Sequence, residues 1–215
     1  MFKLNKIDLL VSVYIFCIVA SELMGMKTFP LTNFSWLHLN ASVATLLLPL
    51  VFGINDVIAE VHGKDRARSL VRSGIFVVFL TFIFAAVATA LPPSARFRPS
   101  EFAYDKVFIS SLRISAASLT AFTIAEITDV FVFMKLRQRQ GKKALWLRTN
   151  VSNFVAQFLD TTIFISLAFY GFGRPLGDNV SFLVSLILPY WLLKCFMSVI
   201  ETPFVYAGVK WLKAK

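Results

Sequence analysis

Six stretches of this chain each run for roughly 18 or more residues with few charges among them, long enough to cross the hydrocarbon of a bilayer as helices. They cover about 9–26, 41–59, 70–91, 107–134, 151–172 and 180–209 and leave little sequence for anything else. A soluble domain of 215 residues would set polar loops between short elements, whereas this chain is 57% hydrophobic and 16% charged, with a mean hydropathy of +0.71. Water is not its main solvent. The expected fold is an all-α integral membrane protein with six transmembrane helices, forming a single transmembrane domain over residues 1–215.

The first run follows Lys3 and Lys6, as the core of a signal peptide would. Its length, and Glu22 where a small-residue cleavage site should stand, point instead to a retained helix. The third run stops at Pro92-Pro93, a strong helix terminator. The last contains Pro189 and Pro203, expected as kinks or breaks.

A net charge of +10 would point to nucleic acid in a soluble protein. Here position argues otherwise. With the N-terminus in the cytoplasm, Lys3, Lys6, Lys64, Arg66, Arg68, Arg72, Lys135, Arg137, Arg139, Lys142, Lys143, Arg148, Lys210, Lys213 and Lys215 are all cytoplasmic, 15 of the 22 basic residues. Only Lys27, Arg96, Arg98, Lys106 and Arg174 fall in external loops. That bias is what the positive-inside rule produces and places both termini in the cytoplasm. Trp36, Trp146 and Trp211 lie near span ends as interfacial anchors do, while Trp191 does not. Cys17 and Cys195 fall inside apolar runs and read as small buried hydrophobes.

An ionisable side chain at mid-membrane costs at least about 2.5 to 3.5 kcal/mol on insertion scales, so each requires a partner or a wet cavity. In or at the edges of the spans lie Glu22, Asp56, Glu60, Arg113, Glu126, Asp129, Asp160, Lys194 and Glu201. Asp56 and Glu60 are i,i+4, and Glu126 and Asp129 i,i+3, so each pair shares a helix face. Asn153, Gln157 and Asp160 form a polar stripe on the fifth span, and Lys194 and Glu201 stand two turns apart on the sixth. The simplest arrangement has these faces lining one interior cavity. The plainer reading makes Asp56, Glu60, Glu126 and Asp129 helix-end carboxylates paired with adjacent bases, Lys194 a partner of Glu201, and Arg113 an interfacial anchor. Asp160, about ten residues into its span and without a flanking base, fits that reading least.

The chain has no G-x-x-x-x-G-K-[ST] phosphate loop, no H-E-x-x-H metal motif and no G-x-S-x-G elbow. His38 and His62 have no i,i+4 partner that would mark a metal site. A transporter rather than an enzyme is expected, with no cofactor and no metal; an intramembrane enzyme using a carboxylate pair is the second reading.

Three blocks carry a family resemblance. The first is Gly53-Ile-Asn55-Asp56-Val-Ile-Ala-Glu60-Val-His62-Gly63-Lys64-Asp-Arg66-Ala-Arg68. The second runs through Ala125-Glu126-Ile-Thr-Asp129, Leu145-Trp146-Leu-Arg148-Thr-Asn-Val-Ser152 and Gln157-Phe-Leu-Asp160-Thr161-Thr-Ile-Phe164, and a weaker third joins Lys194 to Thr202-Pro203-x-x-Tyr206. In order and spacing the chain resembles the queuosine-precursor transporter family, also called the vitamin uptake transporter family, from about Leu48 to Tyr206. It departs from the pattern at His62, where Tyr is expected, and the first span offers no match.

The resemblance implies a six-helix importer of 7-deazaguanine bases (preQ0, preQ1 or queuine) in the bacterial inner membrane, serving salvage of queuosine for tRNA. Another small heterocycle or vitamin is the alternative substrate. A deazaguanine presents adjacent N–H donors that a carboxylate accepts in pairs, a carbonyl that wants a donor, and a flat face that an aromatic ring stacks on. Asp160 or Glu126 would meet the donor edge, with Gln157 and Lys194 in support and Asn153, Asp129, Asp56 and Glu60 as further substrate-binding candidates. The expected partners are the small-molecule substrate and the bilayer, not nucleic acid. Oligomeric state, and energising by protons or by a borrowed ATPase module, are left open.

Overall fold

A computed structural model of the chain describes residues 5–34, 37–140 and 145–213. Its six α-helices are α1 Lys6–Met24, α2 Leu48–His62, α3 Lys64–Ala90, α4 Glu101–Gln140, α5 Leu145–Phe169 and α6 Leu176–Lys213. Among the described residues five helical segments are long and apolar enough to cross a membrane: Lys6–Met24, Val43–His62, Asp65–Ala90, Arg98–Ala125 and Leu176–Phe196. A shorter apolar segment, Phe154–Phe169, lies in α5. The class is that of a helical membrane protein, with five such segments among the described residues where six spans were expected.

Two local expectations are corrected. The segment expected as a loop between the first two spans holds β1 (Thr28–Phe34) and most of β2 (Leu37–Ser42), paired as a two-stranded sheet. Thr28 and Thr32 and the aromatic Phe29 and Phe34 give β1 the β-branched and aromatic character that suits a strand. Pro189 and Pro203 do not break α6, which runs unbroken through both. Each proline removes one backbone donor, a loss that transmembrane helices tolerate when neighbouring groups re-satisfy the freed carbonyl.

The chain forms two compact units. The first comprises Met1–Phe29, Ala41–Ser115 and Phe196–Lys215, and the second Pro30–Asn40 and Ala116–Cys195. In the first unit α1 begins at Asn5, whose side chain accepts from the Ile7 amide at 3.0 Å and so satisfies one orphan donor of the first turn. Tyr14 of α1 packs with Ile54 and Ile58 of α2 and Ala67 and Leu70 of α3, the core of this unit. The end of α1 is tied down by polar contacts. The Ser42 hydroxyl donates to the Gly25 carbonyl, Val43 N–H donates to Lys27 O at 2.9 Å, and the Ser111 hydroxyl of α4 donates to Leu23 O at 3.0 Å. At the other end of α1, Lys6 Nζ donates to Trp211 O of α6 at 2.8 Å. On α6, a Cβ at Gly208 would come within 2.7 Å of a Val57 methyl, so only glycine lets α6 lie this close to α2.

In the second unit the α5–α6 turn closes on Asn179, only 2% exposed. Its side chain accepts from Gly171 N–H at 2.8 Å and donates to the carbonyls of Gly171 at 3.0 Å and Arg174 at 3.2 Å. Asn40, at the foot of β2, donates to the Ser185 hydroxyl of α6 at 2.8 Å.

Helices α2 and α3 are separated by Gly63 alone, at φ 87° and ψ 163°. This backbone region is open essentially to glycine only and costs other residues about 1 to 3 kcal/mol. Gly63→Ala adds no clash, because nothing lies within 4 Å of the added Cβ. It is therefore expected to lower the unfolding free energy by about 1 to 3 kcal/mol through backbone strain, while Gly177→Ala, equally open and at no positive φ, leaves stability unchanged or raised. Thermal unfolding of the detergent-purified variants distinguishes the two.

Candidate functional site

Helical spacing sets Gln157, Asp160 and Phe164 along neighbouring turns of α5. From α6 come Tyr190, Trp191 and Lys194. Lys194 Nζ donates to Asp160 Oδ2 at 2.6 Å, with the two side chains 11% and 26% exposed. Such a short, mostly buried pair neutralises two charges that could not stand alone in an apolar setting. Lys194 Nζ also stands 5.4 Å from the centroid of the Tyr190 ring, a cation over an aromatic face.

Aromatic side chains flank the pair. Phe164 lies 6.3 Å from Tyr190, and Trp191 meets Phe154 at 4.8 Å and Phe158 at 5.3 Å, both edge to face. The Trp191 Nε1 and the Thr161 and Thr162 hydroxyls are buried without a hydrogen-bond partner. This stretch of α5 and α6 thus combines a carboxylate that accepts, an ammonium that donates, rings that stack, and buried polar atoms whose hydrogen bonds are unmade. That is an inventory suited to a small, flat, polar ligand.

The other sequence-derived candidates are distributed as follows. Asp160 and Lys194 are in direct contact, and Gln157 is half-buried one turn before Asp160. Asp56 and Glu60 stand one turn apart on the exposed side of α2, in the first unit, and neither makes an ion pair among the described residues. The side chains of Glu126, Asp129, Asn153 and Glu201 lie outside the described residues. Lys194 is held by Asp160 across the helix pair, not left to snorkel alone. Glu22 is buried near the end of α1, and Arg113 is half-buried on α4. Among the described residues no group of three His, Cys, Asp or Glu side chains could hold a metal ion.

Tyr190, Phe154, Phe158 and Thr162 were not singled out from sequence, and Trp191 and Thr161 were named there without a role at the site. Trp191 did carry a signal, as the tryptophan that fails to fall near a span end. The phenylalanines carried none, since 23 of them are spread along the chain.

Removing one member of a buried ion pair leaves an uncompensated charge, on the order of 3 kcal/mol. Asp160→Asn and Lys194→Met are each expected to lower the thermal stability of the purified protein. The double variant Asp160→Asn/Lys194→Met is expected to regain most of the loss. Additive losses in this double-mutant cycle would show that the two charges are not coupled.

Comparison with known proteins gives concordant relatives. The profile of the family described as "Putative vitamin uptake transporter" matches residues 42–208. The chain is 30% identical over 197 residues to the "Probable queuosine precursor transporter" of Bacillus subtilis (strain 168), covering 91% of this chain and 81% of that one. It is 28% identical over 173 residues to the "Probable queuosine precursor transporter" of Haemophilus influenzae, covering 75% and 69%. It is 27% identical over 127 residues to the "Queuosine precursor transporter" of Escherichia coli (strain K12), covering 57% and 52%. No solved structure matches. With a profile that reaches from the start of α2 almost to the end of α6, and with helices fit to cross a bilayer, this multi-pass membrane chain belongs to the vitamin uptake transporter family.

Proposed function

We propose that this protein imports queuosine precursors, 7-deazaguanine bases of the preQ0, preQ1 or queuine kind, across the bacterial inner membrane. The observation that carries the reading is the Asp160–Lys194 pair inside apolar helices, in a chain whose relatives are named queuosine precursor transporters. A deazaguanine offers adjacent N–H donors that match the two oxygens of a carboxylate, and a carbonyl that matches an ammonium or amide donor. Asp160 or Glu126 would take the donor edge. Lys194 and Gln157 would serve the carbonyl, Trp191 or Tyr190 would stack on the ring, and Asn153, Asp129, Asp56 and Glu60 are further polar contacts in this reading.

Six crossings with both termini in the cytoplasm complete the proposal. The contact of Lys6 with Trp211 supports it, because the start of α1 and the end of α6 then share one side, which an even number of crossings requires. The concentration of Lys and Arg near the starts of α1 and α3, between α4 and α5, and at the C-terminus supports the cytoplasm as that side. Reporter fusions test it. A cytoplasm-active reporter is expected to work after residues 64, 142 and 215, and a periplasm-active one after residues 95 and 174; the reverse pattern would overturn the orientation.

Uptake is tested in cells that cannot make the precursors, supplied with nanomolar base, by the queuosine content of their tRNA. Modification is expected only with the gene present. Asp160→Asn and Glu126→Gln are each expected to abolish it while the protein remains in the membrane. Normal modification in both variants would remove the proposed ligand groups. Failure with every precursor would leave another compact heterocycle or vitamin as the substrate.

A further inference from the structure

In the first unit, a groove of about 380 Å³ runs between α1, α3 and α4, lined by Leu23, Leu80, Phe84, Ala88, Tyr104 and Phe108 among others. Its lining makes no polar demand. The Thr81 hydroxyl is already given to the Val77 carbonyl at 2.9 Å, and the other lining side chains are apolar apart from the Tyr104 hydroxyl. From Ala88 to Leu80 the groove follows α3 for eight residues, about 12 Å of helix. Phe84, 75% exposed, forms one wall.

One end of the groove lies where the chain leaves α3 at Ala90 and enters α4 at Glu101, at the ends of two candidate spans, where headgroups would be met. The Phe97 ring stands edge-on to Tyr104 at 5.6 Å, and Tyr104 packs on Phe108 at 4.4 Å, making an aromatic lip. Arg96 and Arg98 flank Phe97, are exposed, and form no ion pair among the described residues. Glu101 and Asp105 follow within two turns, and Asp105 has a buried carboxylate oxygen without a hydrogen-bond partner. Selectivity for an anion would therefore rest on the two guanidiniums at the lip rather than on net charge.

We infer that this groove holds one anionic phospholipid, an acyl chain along Ala88 to Leu80 and its phosphate between Arg96 and Arg98. A guanidinium pair suits a phosphate diester, and an aromatic lip suits the level at which acyl chains meet headgroups. Charge complementarity at one end of an otherwise apolar channel separates this occupant from a helix of a second copy, which would leave both arginines unmatched.

The test uses the full chain, purified and stripped of lipid, titrated with phosphatidylglycerol or phosphatidylcholine of identical acyl chains and read by native mass spectrometry. Phosphatidylglycerol is expected to bind roughly thirtyfold tighter, the scale of two basic side chains against an anionic headgroup. Arg96→Gln/Arg98→Gln, both at exposed positions, is expected to erase that preference while leaving phosphatidylcholine binding intact. Ala88→Phe, which narrows the groove, is expected to weaken both lipids. Equal binding of the two lipids by the unaltered chain, or a preference that survives loss of both arginines, would overturn the inference. So would displacement of the lipid by glycerol phosphate alone, or efficient cross-linking between two copies through Phe84→Cys.

Discussion

In hydrocarbon a polar group has no water to fall back on, so every backbone and hydroxyl donor must find its acceptor within the chain. The helices meet this with their own ladders, and many of their hydroxyls follow suit, those of Ser115, Thr161 and Thr162 being exceptions. Ser12, Ser73, Thr81, Ser110, Thr120, Thr123 and Thr128 each donate to the carbonyl four residues earlier. Where the helical pattern stops, side chains take over. Asn179 answers the carbonyls and amide of the α5–α6 turn, and Ser42 and Ser111 answer the carbonyls that α1 leaves open at its end.

Against that background the Asp160–Lys194 pair stands apart. Two ionised groups in the spans are tolerable because each is the other's solvent. A carboxylate alone would bind a donor-rich ligand but would be costly when empty, and an ammonium alone likewise. Together they are stable without a ligand, and each has a complementary group to offer when a ligand with both donors and acceptors separates them. In the proposed function, specificity follows from that exchange, since a ligand able to satisfy only one of the two would leave the other stranded.

The helical membrane class was legible because length and hydropathy decide it, and Gln157 and Asp160 could be set on neighbouring turns because the helical repeat is fixed. Which charge meets which was not. Lys194 and Glu201 share a face of one helix, yet Lys194 reaches Asp160 on another, 34 residues away; helix packing decides this, and no spacing along the chain records it. The two-stranded sheet escaped for a different reason. Its strands are short and lie between two long apolar runs, so their alternation is too brief to register. Of the kinks or breaks expected at Pro189 and Pro203, the breaks do not occur, because the rule that proline ends a helix is drawn from water, where a freed carbonyl is readily solvated and the helix has less reason to continue.

The joint at Gly63 has a mechanical meaning. A connection of one residue has two soft torsions and no slack, so the angle between α2 and α3 is set at a single point. That start bears Arg66, Arg68 and Arg72, all exposed, with Arg68 only loosely paired to Asp65 at 3.6 Å. Asp56 and Glu60 ride on the other arm of the same lever. Three arginines and two carboxylates thus sit on the two sides of one glycine pivot.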